Sequence, residues 1–302
     1  MKPARDASPR LSHTTIRTAT RAEVDLAIEW AGREGWNPGL HDAECFYAQD
    51  PEGFLVAELD GRPIGCASAV RYDGGFGFAG FYIMLPEFRG HRIGYDLGCA
   101  AINRLADVKA GLDGVIKQQP KYCKLWGFQL AHRNVRYELP SAKKLERENA
   151  PSSSARPADI QFVELANIPF AKLAAYDLQM FRFPREAFLH CWISRPGTIA
   201  MGAMEDGELV GYGVLRPCRV GYKLAPLFAD APAIADALFR ELARHAASHA
   251  IYLDIPQVNP AALELVQRHS MTPIFETARM YTKGDPGLPL DKIYGITSFE
   301  LG

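Results

Sequence analysis

The chain has 302 residues, of which 48% are hydrophobic and 23% are charged, and its formal net charge is −1. This length allows two domains of ordinary size, and the composition is typical of a globular protein. The near-neutral charge argues against nucleic acid or an anionic membrane surface as a partner. No apolar run approaches the roughly 20 residues that span a bilayer.

The N-terminus and the cysteines indicate a compartment. Residues 1–12 are polar, with several basic residues and no hydrophobic core, so we expect a disordered tail rather than a secretory signal. Six cysteines are scattered without a Cys-x-x-Cys pair, and the histidines lack the spacing of metal ligands. The pattern favours a cytoplasmic protein with reduced thiols and no bound metal.

The first elements are a short strand and a helix, followed by a loop. Residues 14–18 favour a strand, and residues 21–33 favour a helix with Thr20 as its N-cap. Residues 34–42 form a turn-rich loop that carries polar and aromatic groups. Such loops often hold binding groups, although a purely structural loop is the alternative. The candidate substrate contacts are Glu34, Trp36 and Asn37.

A hairpin and a central strand come next. Residues 53–59 and 63–72 are predicted strands around the turn Asp60-Gly61. Residues 76–85 are apolar and aromatic and stop at Pro86, which predicts a buried strand. A helix then carries apolar residues four apart and is expected to continue to Val108. This stripe is Ile93, Leu97, Ala101 and Leu105.

The turn between that strand and that helix has the composition of an anion site. Unpaired amides and the helix dipole favour phosphate at a helix N-terminus. Gly90 and Gly94 allow close approach of the backbone, and Arg89, His91 and Arg92 add donors and charge. A strand-to-helix corner with a solvated basic face is the alternative interpretation.

The first unit is expected to end with a strand at 114–117, a short helix that breaks at Gly127, and a strand at 129–139. Residues 146–158 read as a linker, rich in Ser, Pro and Ala. The plan then repeats, because Asp60-Gly-Arg-Pro-Ile-Gly65 reappears as Asp206-Gly-Glu-Leu-Val-Gly211. We infer an internal duplication, with one domain at 13–145 and another at 159–302.

The second copy lacks the basic turn. Its equivalent segment contains Asp230, which would repel a phosphate, and Pro232, which removes an amide donor. We therefore expect the second domain not to bind an anionic ligand in the same way.

The turn and the order of elements resemble the GNAT N-acetyltransferase superfamily over residues 14–139. Arg89, Ile93 and Gly94 match its Arg/Gln-x-x-Gly-x-Gly/Ala loop, although Arg92 stands where a glycine is usual. The tail at 294–302 resembles a tandem subgroup whose C-terminal half is a diverged acetyltransferase-like domain. The resemblance implies an α/β (α+β) fold of two tandem GNAT-like domains. Each would be a mixed, mostly antiparallel sheet flanked by helices.

The same resemblance implies acetyl-CoA as co-substrate, held by the turn and by the end of the central strand. The implied contacts are Ile83, Met84, Leu85, Arg89, Gly90, His91, Arg92, Ile93 and Gly94. A tyrosine before a Gly-Phe pair often protonates the departing thiolate in this family. Tyr122 is the candidate, one residue further from Gly127 than usual.

For the base, the resemblance implies the loop that lines the acceptor side, which makes His41 and Asp42 candidates. The second domain would close over the acceptor. Its candidate contacts are Asp177, Arg182 and Tyr222.

The leading hypothesis is an acetyl-CoA-dependent N-acetyltransferase, which transfers the acetyl group to a primary amine of a small molecule by direct attack in a ternary complex. A protein lysine or N-terminal acetyltransferase, with an open groove at residues 36–41, is one alternative. A non-catalytic acyl-CoA sensor, which binds without turnover, is another. A monomer or a homodimer is expected.

Overall fold

The computed structural model describes residues 11–142 and 160–302. Most of the expected N-terminal tail and the whole expected linker at 146–158 lie outside these ranges. The described residues form α-helices and strands in two similar series, one in each half of the chain.

The first half contains four helices and six strands within its described residues. In chain order these are β1 (Thr14–Thr18), α1 (Arg21–Arg33), α2 (Asp42–Gln49), β2 (Phe54–Leu59), β3 (Arg62–Tyr72), β4 (Phe76–Met84), α3 (Arg92–Arg104), β5 (Lys109–Val115), α4 (Gln119–Trp126) and β6 (Gln129–Leu139).

The second half repeats this series and adds a short final strand. Its described elements are β7 (Gln161–Glu164), α5 (Phe170–Phe181), α6 (Glu186–Trp192), β8 (Ile199–Glu205), β9 (Glu208–Pro217), β10 (Tyr222–Ala229), α7 (Pro232–Ala243), β11 (Ile251–Pro256), α8 (Pro260–Arg268), β12 (Thr272–Tyr281) and β13 (Ile293–Gly295).

Local sequence signals account for several boundaries. The Thr20 side chain and Glu23 form a capping box at the start of α1. Asp60 and Gly61 have φ angles of 50° and 77°, which is the left-handed pair that a two-residue hairpin turn requires. Asp206 and Gly207 repeat these angles at 49° and 81°. The duplicated turn therefore builds the same hairpin twice.

The end of α3 differs from the sequence prediction. The helix ends at Arg104 rather than Val108, and β5 begins at Lys109, five residues before the expected strand. Leu105 and Val108 are nevertheless buried in the same cluster as the helix stripe. Apolar spacing could not mark the end of the helix, because the connection packs on the same core.

The described strands form one 13-stranded sheet, in the order β1-β2-β3-β4-β5-β12-β6-β11-β10-β9-β8-β7, with β13 on β10. The sequence predicted that β6 completes the first unit. Instead, β6 pairs with β12 on one side and β11 on the other, and both belong to the second half. In return, β12 pairs with β5 of the first half. The two halves thus exchange strands β6 and β12.

The end of the chain returns to the first half. After β13, the backbone forms a hydrogen bond with Asp254 and then reaches β4. The Tyr72 hydroxyl donates to the Leu301 carbonyl at 2.8 Å. A Cβ on Gly80 would lie only 2.3 Å from the carbonyl oxygen of Glu300, so only glycine allows this close backbone approach. The C-terminal segment is therefore part of the first half's core.

The loop at 34–42 is fixed to the second half. The Asn37 side chain donates to the Val220 carbonyl at 3.0 Å and accepts from the Val220 amide at 2.9 Å. Gly39 forms a bridge with Cys218. No helix in the described parts of the chain combines the length and apolarity needed to cross a membrane.

Strand exchange predicts that neither half folds alone. A fragment of residues 1–145 would leave β6 without a partner strand and β5 paired only with β4. We therefore expect it to be insoluble or to lack cooperative unfolding, as would residues 146–302. Co-expression of the two fragments is the control for the chain break itself, and the pair should copurify as a folded complex. Solubility, circular dichroism and size-exclusion chromatography report the outcome. A stable, cooperatively folded single fragment would contradict the prediction.

Candidate active site

A cleft opens where β4 and β5 separate. These parallel strands pair only from Phe76 opposite Lys109 to Ala79 opposite Leu112. Beyond Ala79, β5 leaves the edge of β4, and the space between them widens into a cleft of about 770 Å³, counting its open mouth. The separation leaves one edge of the central strand accessible to a ligand.

A β-bulge sits at the start of this separation. Ser68 pairs with Gly80 and Cys66 pairs with Ile83, so two residues of β4 stand opposite one residue of β3. Within the bulge, Phe81 has a φ of +46°, which is uncommon for a bulky residue. Bulges re-aim side chains, and here Phe81 and Tyr82 both line the cleft.

The cleft connects the two faces of the sheet. Residues on one side belong to α3, α4 and β4, and they pack in the cluster beneath those helices. Residues on the other side belong to the loop after α1, to β4, to β12 and to the C-terminal segment, and they pack in a second cluster. The first group includes Tyr82, Ala101, Tyr122 and Trp126, and the second includes Trp36, Phe81, Phe275 and Phe299.

Tyr122, the candidate acid from the sequence, lines the cleft. Its ring stacks on Trp126 with centroids 5.9 Å apart. A Cβ on Gly114 would lie 2.5 Å from the Tyr122 ring, so the glycine leaves room for the ring to fit against β5. Burial raises the pKa of Tyr122 to about 12. The hydroxyl therefore keeps its proton at neutral pH.

The basic turn lies at the end of β4, beside the cleft. Gly90 has a φ of +82°, and no atom lies within 4 Å of a Cβ placed there. Glycine is therefore required by the backbone angle and not by a lack of space. Arg89 donates through Nε to the Met84 carbonyl at 3.0 Å and forms an ion pair with Glu34. The turn thus ties the loop after α1 to the central strand.

The remaining charged side chains of the turn, Arg92 and His91, lie at the start of α3. Arg92 pairs with Asp96 at 2.8 Å, and its guanidinium lies 4.5 Å from the Tyr95 ring centroid. His91 is the N-cap of α3 but makes no capping hydrogen bond. Its Nδ1 is buried without a partner among the described residues. A polar atom in this state fits a site that receives a ligand oxygen or hydroxyl.

Asp113 also lines the cleft, but its carboxylate oxygens already accept four hydrogen bonds from other side chains. Arg279 donates to it at 3.0 and 2.6 Å, Asn134 donates at 2.9 Å and the Thr277 hydroxyl donates at 3.2 Å. Two of these four hydrogen bonds come from a buried guanidinium, and charge-assisted hydrogen bonds of this kind are strong. This hub positions β12 against β5.

The candidate bases from the sequence lie elsewhere. His41 and Asp42 line a separate cavity of about 210 Å³. The Asp42 carboxylate lies 3.1 Å from Arg216 Nε and accepts the Gly39 amide at 2.8 Å. Trp36 is the one residue of the predicted substrate set that lines the cleft, since Glu34 pairs with Arg89 and Asn37 with Val220.

The second-half candidates are likewise outside the cleft lining. Asp177 is buried and receives two hydrogen bonds from Arg185 and one from the Tyr212 hydroxyl. Tyr222 meets His249 edge to face. Arg182 is the C-cap of α5, with a φ of 72°. These contacts are the kind that hold the second half together.

Sequence reasoning missed Glu300. Glu300 is among the residues that line the cleft, and it is 4% exposed. Within the described parts of the chain, only its backbone amide makes a hydrogen bond, which it donates to Ser298 Oγ. The one available signal was a single charged residue in the otherwise uncharged stretch 294–302. Nothing in the sequence placed that stretch beneath β4.

Charges from four elements surround Glu300. Burial raises the pKa of its carboxyl above the usual value. The positive charges of Lys223 on β10, Arg136 on β6 and Arg216 on β9 oppose the rise. The Asp42 carboxylate on α2 adds to it.

Comparison with known families agrees with the geometry in both halves. Residues 22–116 match a model described as the acetyltransferase (GNAT) family, and residues 173–295 match one described as an acetyltransferase (GNAT) domain. The chain belongs to the acetyltransferase (GNAT) family. It is thus an acyltransferase with two GNAT domains, as the sequence predicted, and the expected fold class is confirmed. Acetyl-CoA is the co-substrate of this family.

Individual relatives extend over nearly the whole chain. The holothin acyltransferase of Pseudoalteromonas sp. (strain SANK 73390) is 29% identical over 289 residues, which cover 95% of this chain and 94% of that protein. A structure from Pyrococcus horikoshii, described as an acetyltransferase, superposes with a TM-score of 0.79 at 21% identity and covers 99% of both chains. A tandem GNAT protein from the clavulanic acid biosynthesis pathway gives 0.61 at 12% identity, covering 91% of this chain and 99% of the other. The two structural likenesses concern the fold.

The Asp113 hub predicts a large loss of stability when its charge is removed. In Asp113→Asn, Arg279 stays buried without its counterion, so we expect the free energy of unfolding to fall by about 3–5 kcal/mol. The matched control is Asp107→Asn, which removes an exposed carboxylate paired with Arg71 at 2.7 Å. That change should cost far less, because exposed pairs contribute little. Equal losses in urea unfolding would contradict the prediction.

Proposed function

We propose that this protein transfers the acetyl group of acetyl-CoA to the primary amine of a small molecule, by direct attack in a ternary complex. The observation that supports this proposal is the aromatic cleft between β4 and β5. Its lining residue Tyr82 donates a hydrogen bond to the Gly94 carbonyl of the basic turn at 2.7 Å. A donor thioester that enters from the turn and an amine that enters from the pocket would meet at the bulge.

Three features support acetyl-CoA binding at the turn. The first-turn amides of α3 and the helix dipole favour a pyrophosphate. His91 is the N-cap of α3, and its Nδ1 has no hydrogen-bond partner within the part of the chain that the structure describes. The edge of β4 that β5 leaves can bond an extended amide chain, as a neighbouring strand would. We therefore assign the diphosphate to residues 89–94 and the pantetheine to the end of β4, at residues 83–85.

The acceptor side favours a small amine over a protein. Trp36, Phe81, Phe275 and Phe299 line it with aromatic surface. The loop at 34–42 is tied to the second half through Asn37 and Gly39, so this side is covered rather than open as a groove. The 29% identical relative is named for holothin, not for a protein acceptor. Together these observations support an acceptor with a compact apolar body.

The chemistry assigns a role to Tyr122. An alkyl amine attacks only when neutral, and a departing thiolate benefits from a proton donor. Tyr122 keeps its proton at neutral pH and lines the cleft, so we propose that it protonates the thiolate. Because a phenol with a pKa near 12 is a weaker acid than a thiol near 8.5, the Tyr122 hydrogen bond first stabilises the charge that develops on sulfur, and the proton moves afterwards.

The second half is proposed to bind no CoA. Its strands β10 and β11 pair only at Tyr222 and Lys223, and β13 pairs with β10 further along the strand. The position that corresponds to the ligand-binding edge of β4 is therefore filled by the chain itself. We therefore propose that each chain has one site for acetyl transfer.

Binding of acetyl-CoA tests the proposal. Calorimetric titration should give binding to the wild type that weakens about tenfold in Gly90→Ala, because an L-residue at positive φ costs roughly 1–2 kcal/mol and displaces the turn. Gly61→Ala is the matched control, since Gly61 has a φ of +77° and an equally open Cβ position. The Gly61→Ala variant should lose a similar amount of folding stability but should keep its affinity for acetyl-CoA. A wild type without affinity for acetyl-CoA would overturn the proposal.

Turnover separates an enzyme from a sensor and tests Tyr122. Thiol release from acetyl-CoA, followed with a panel of small primary amines, should reveal at least one acceptor. With that acceptor, Tyr122→Phe should lower kcat about 10- to 100-fold and leave the KM for acetyl-CoA unchanged. An unaltered kcat would remove the assigned role from Tyr122, and binding without any turnover would favour the sensor alternative.

A further inference from the structure

We propose that Glu300, supplied by the second half of the chain, is the group that accepts the proton of the acceptor amine. The inference rests on the proposed function and adds the catalytic base that the sequence did not identify. Glu300 shares the cleft with the bulge residues Gly80 and Phe81 and with Tyr122. Its backbone carbonyl touches the position of a Gly80 Cβ, so the two segments are in direct contact.

The segment that carries Glu300 is rigidly held. The amides of Glu300 and Leu301 both donate to Ser298 Oγ, at 3.3 and 2.9 Å. Gly302 and Ser298 exchange backbone hydrogen bonds at 3.2 and 3.3 Å. The Phe299 ring lies 4.9 Å from the Arg136 guanidinium. A base must be positioned before its pKa matters, and these contacts position Glu300.

The other carboxylates near the site are already engaged. Asp113 accepts four hydrogen bonds, two of them from Arg279. Asp42 is paired with Arg216 and lines a different cavity. In contrast, the Glu300 carboxylate accepts no hydrogen bond from the residues that the structure describes. An ammonium group would be its first hydrogen-bond donor.

The surroundings of Glu300 suit a cation. Trp36, Phe81, Phe275 and Phe299 line the same side of the cleft. Aromatic faces attract an ammonium group, and a buried carboxylate among them adds a full counter-charge. Of the nearby cations, Arg136 is paired with Asp254 and also donates to the Trp36 carbonyl, and Lys223 donates to the same carbonyl.

The proton transfer is balanced as follows. The ammonium group gives one proton to the Glu300 carboxylate and becomes a neutral amine. The nitrogen lone pair forms a bond to the thioester carbonyl carbon, the carbon–sulfur bond breaks, and its electron pair leaves on sulfur. Tyr122 gives its hydroxyl proton to sulfur, and the second nitrogen proton restores the Tyr122 hydroxyl. One net proton then leaves Glu300 for water.

The raised pKa of Glu300 gives a pH signature. As a base, Glu300 works only when ionised, so the rate should fall as the pH drops through its raised pKa. This loss comes at a higher pH than an ordinary glutamate would give. The positive charges of Lys223, Arg136 and Arg216 lower the pKa of Glu300, and the negative charge of Asp42 raises it.

The test compares Glu300→Gln with Glu300→Asp and with Glu276→Gln, all in the full chain. Glu276 neighbours the cleft residues Phe275 and Thr277 but pairs with Arg133. The probes are acetyl-CoA with phenethylamine, tryptamine and benzylamine. Glu300→Gln should lower kcat about 100-fold or more, Glu300→Asp should recover part of it, and Glu276→Gln should match the wild type.

Two further readouts separate a base from a structural residue. In Glu300→Gln the break in the pH–rate profile at the raised pKa of Glu300 should disappear, and the rate should instead rise tenfold per pH unit up to the pKa of the amine. Phenethylamine should also bind the CoA-saturated variant about tenfold more weakly by calorimetry, without any reaction. Affinity for acetyl-CoA and the midpoint of thermal unfolding should stay at wild-type values.

Each contrary result has its own meaning. A Glu300→Gln variant with wild-type kcat and an unchanged pH profile would overturn the role of Glu300 and leave the proposed function standing. A wild type that binds acetyl-CoA but acetylates none of the three amines would overturn the aromatic acceptor and the base assignment together. Loss of acetyl-CoA binding in the wild type would instead overturn the proposed function.

Discussion

Two crossing strands join the halves of this chain, and the active cleft depends on them. Because β12 pairs with β5, the aromatic side chain of Phe275 and the hydroxyl of Thr277 come from the second half into the first half's site. Because β6 pairs with β11 and β12, the first half cannot close its own sheet. A single continuous sheet therefore makes the second half a structural component of the site rather than an attached domain.

Buried ion pairs fix the register of this union. Among the described residues, Arg136 with Asp254, Arg279 with Asp113, and Arg216 with Asp42 each join one half to the other with both partners almost fully buried. Such pairs add little net stability compared with apolar packing, but breaking one leaves a buried charge. A shifted register would separate all of these buried charges from their partners at once. The ion pairs therefore select one pairing of the halves.

The two copies of the duplication have diverged by filling the same space differently. In the first copy, β4 and β5 separate and leave a cleft. In the second, β13 pairs with β10 where the strands would separate, and Asp230 accepts from Tyr176 and pairs with Lys292 near the start of α7. The segment after β13 then continues to Gly80 and supplies Glu300 to the first copy. The loss of one site and the completion of the other thus use the same stretch of chain.

The sequence alone determined the features that depend on near neighbours. Hairpin turns, the capping box of α1, the central strand, the basic turn and the duplication were all legible, because each depends on residues close together in the chain. Tyr122 could be placed for the same reason. The exchange of β6 and β12, the capture of Asp42 by Arg216 and the position of Glu300 depend on contacts between residues more than a hundred positions apart. Such contacts leave no periodicity or spacing in a single sequence, so only the tertiary structure decided them.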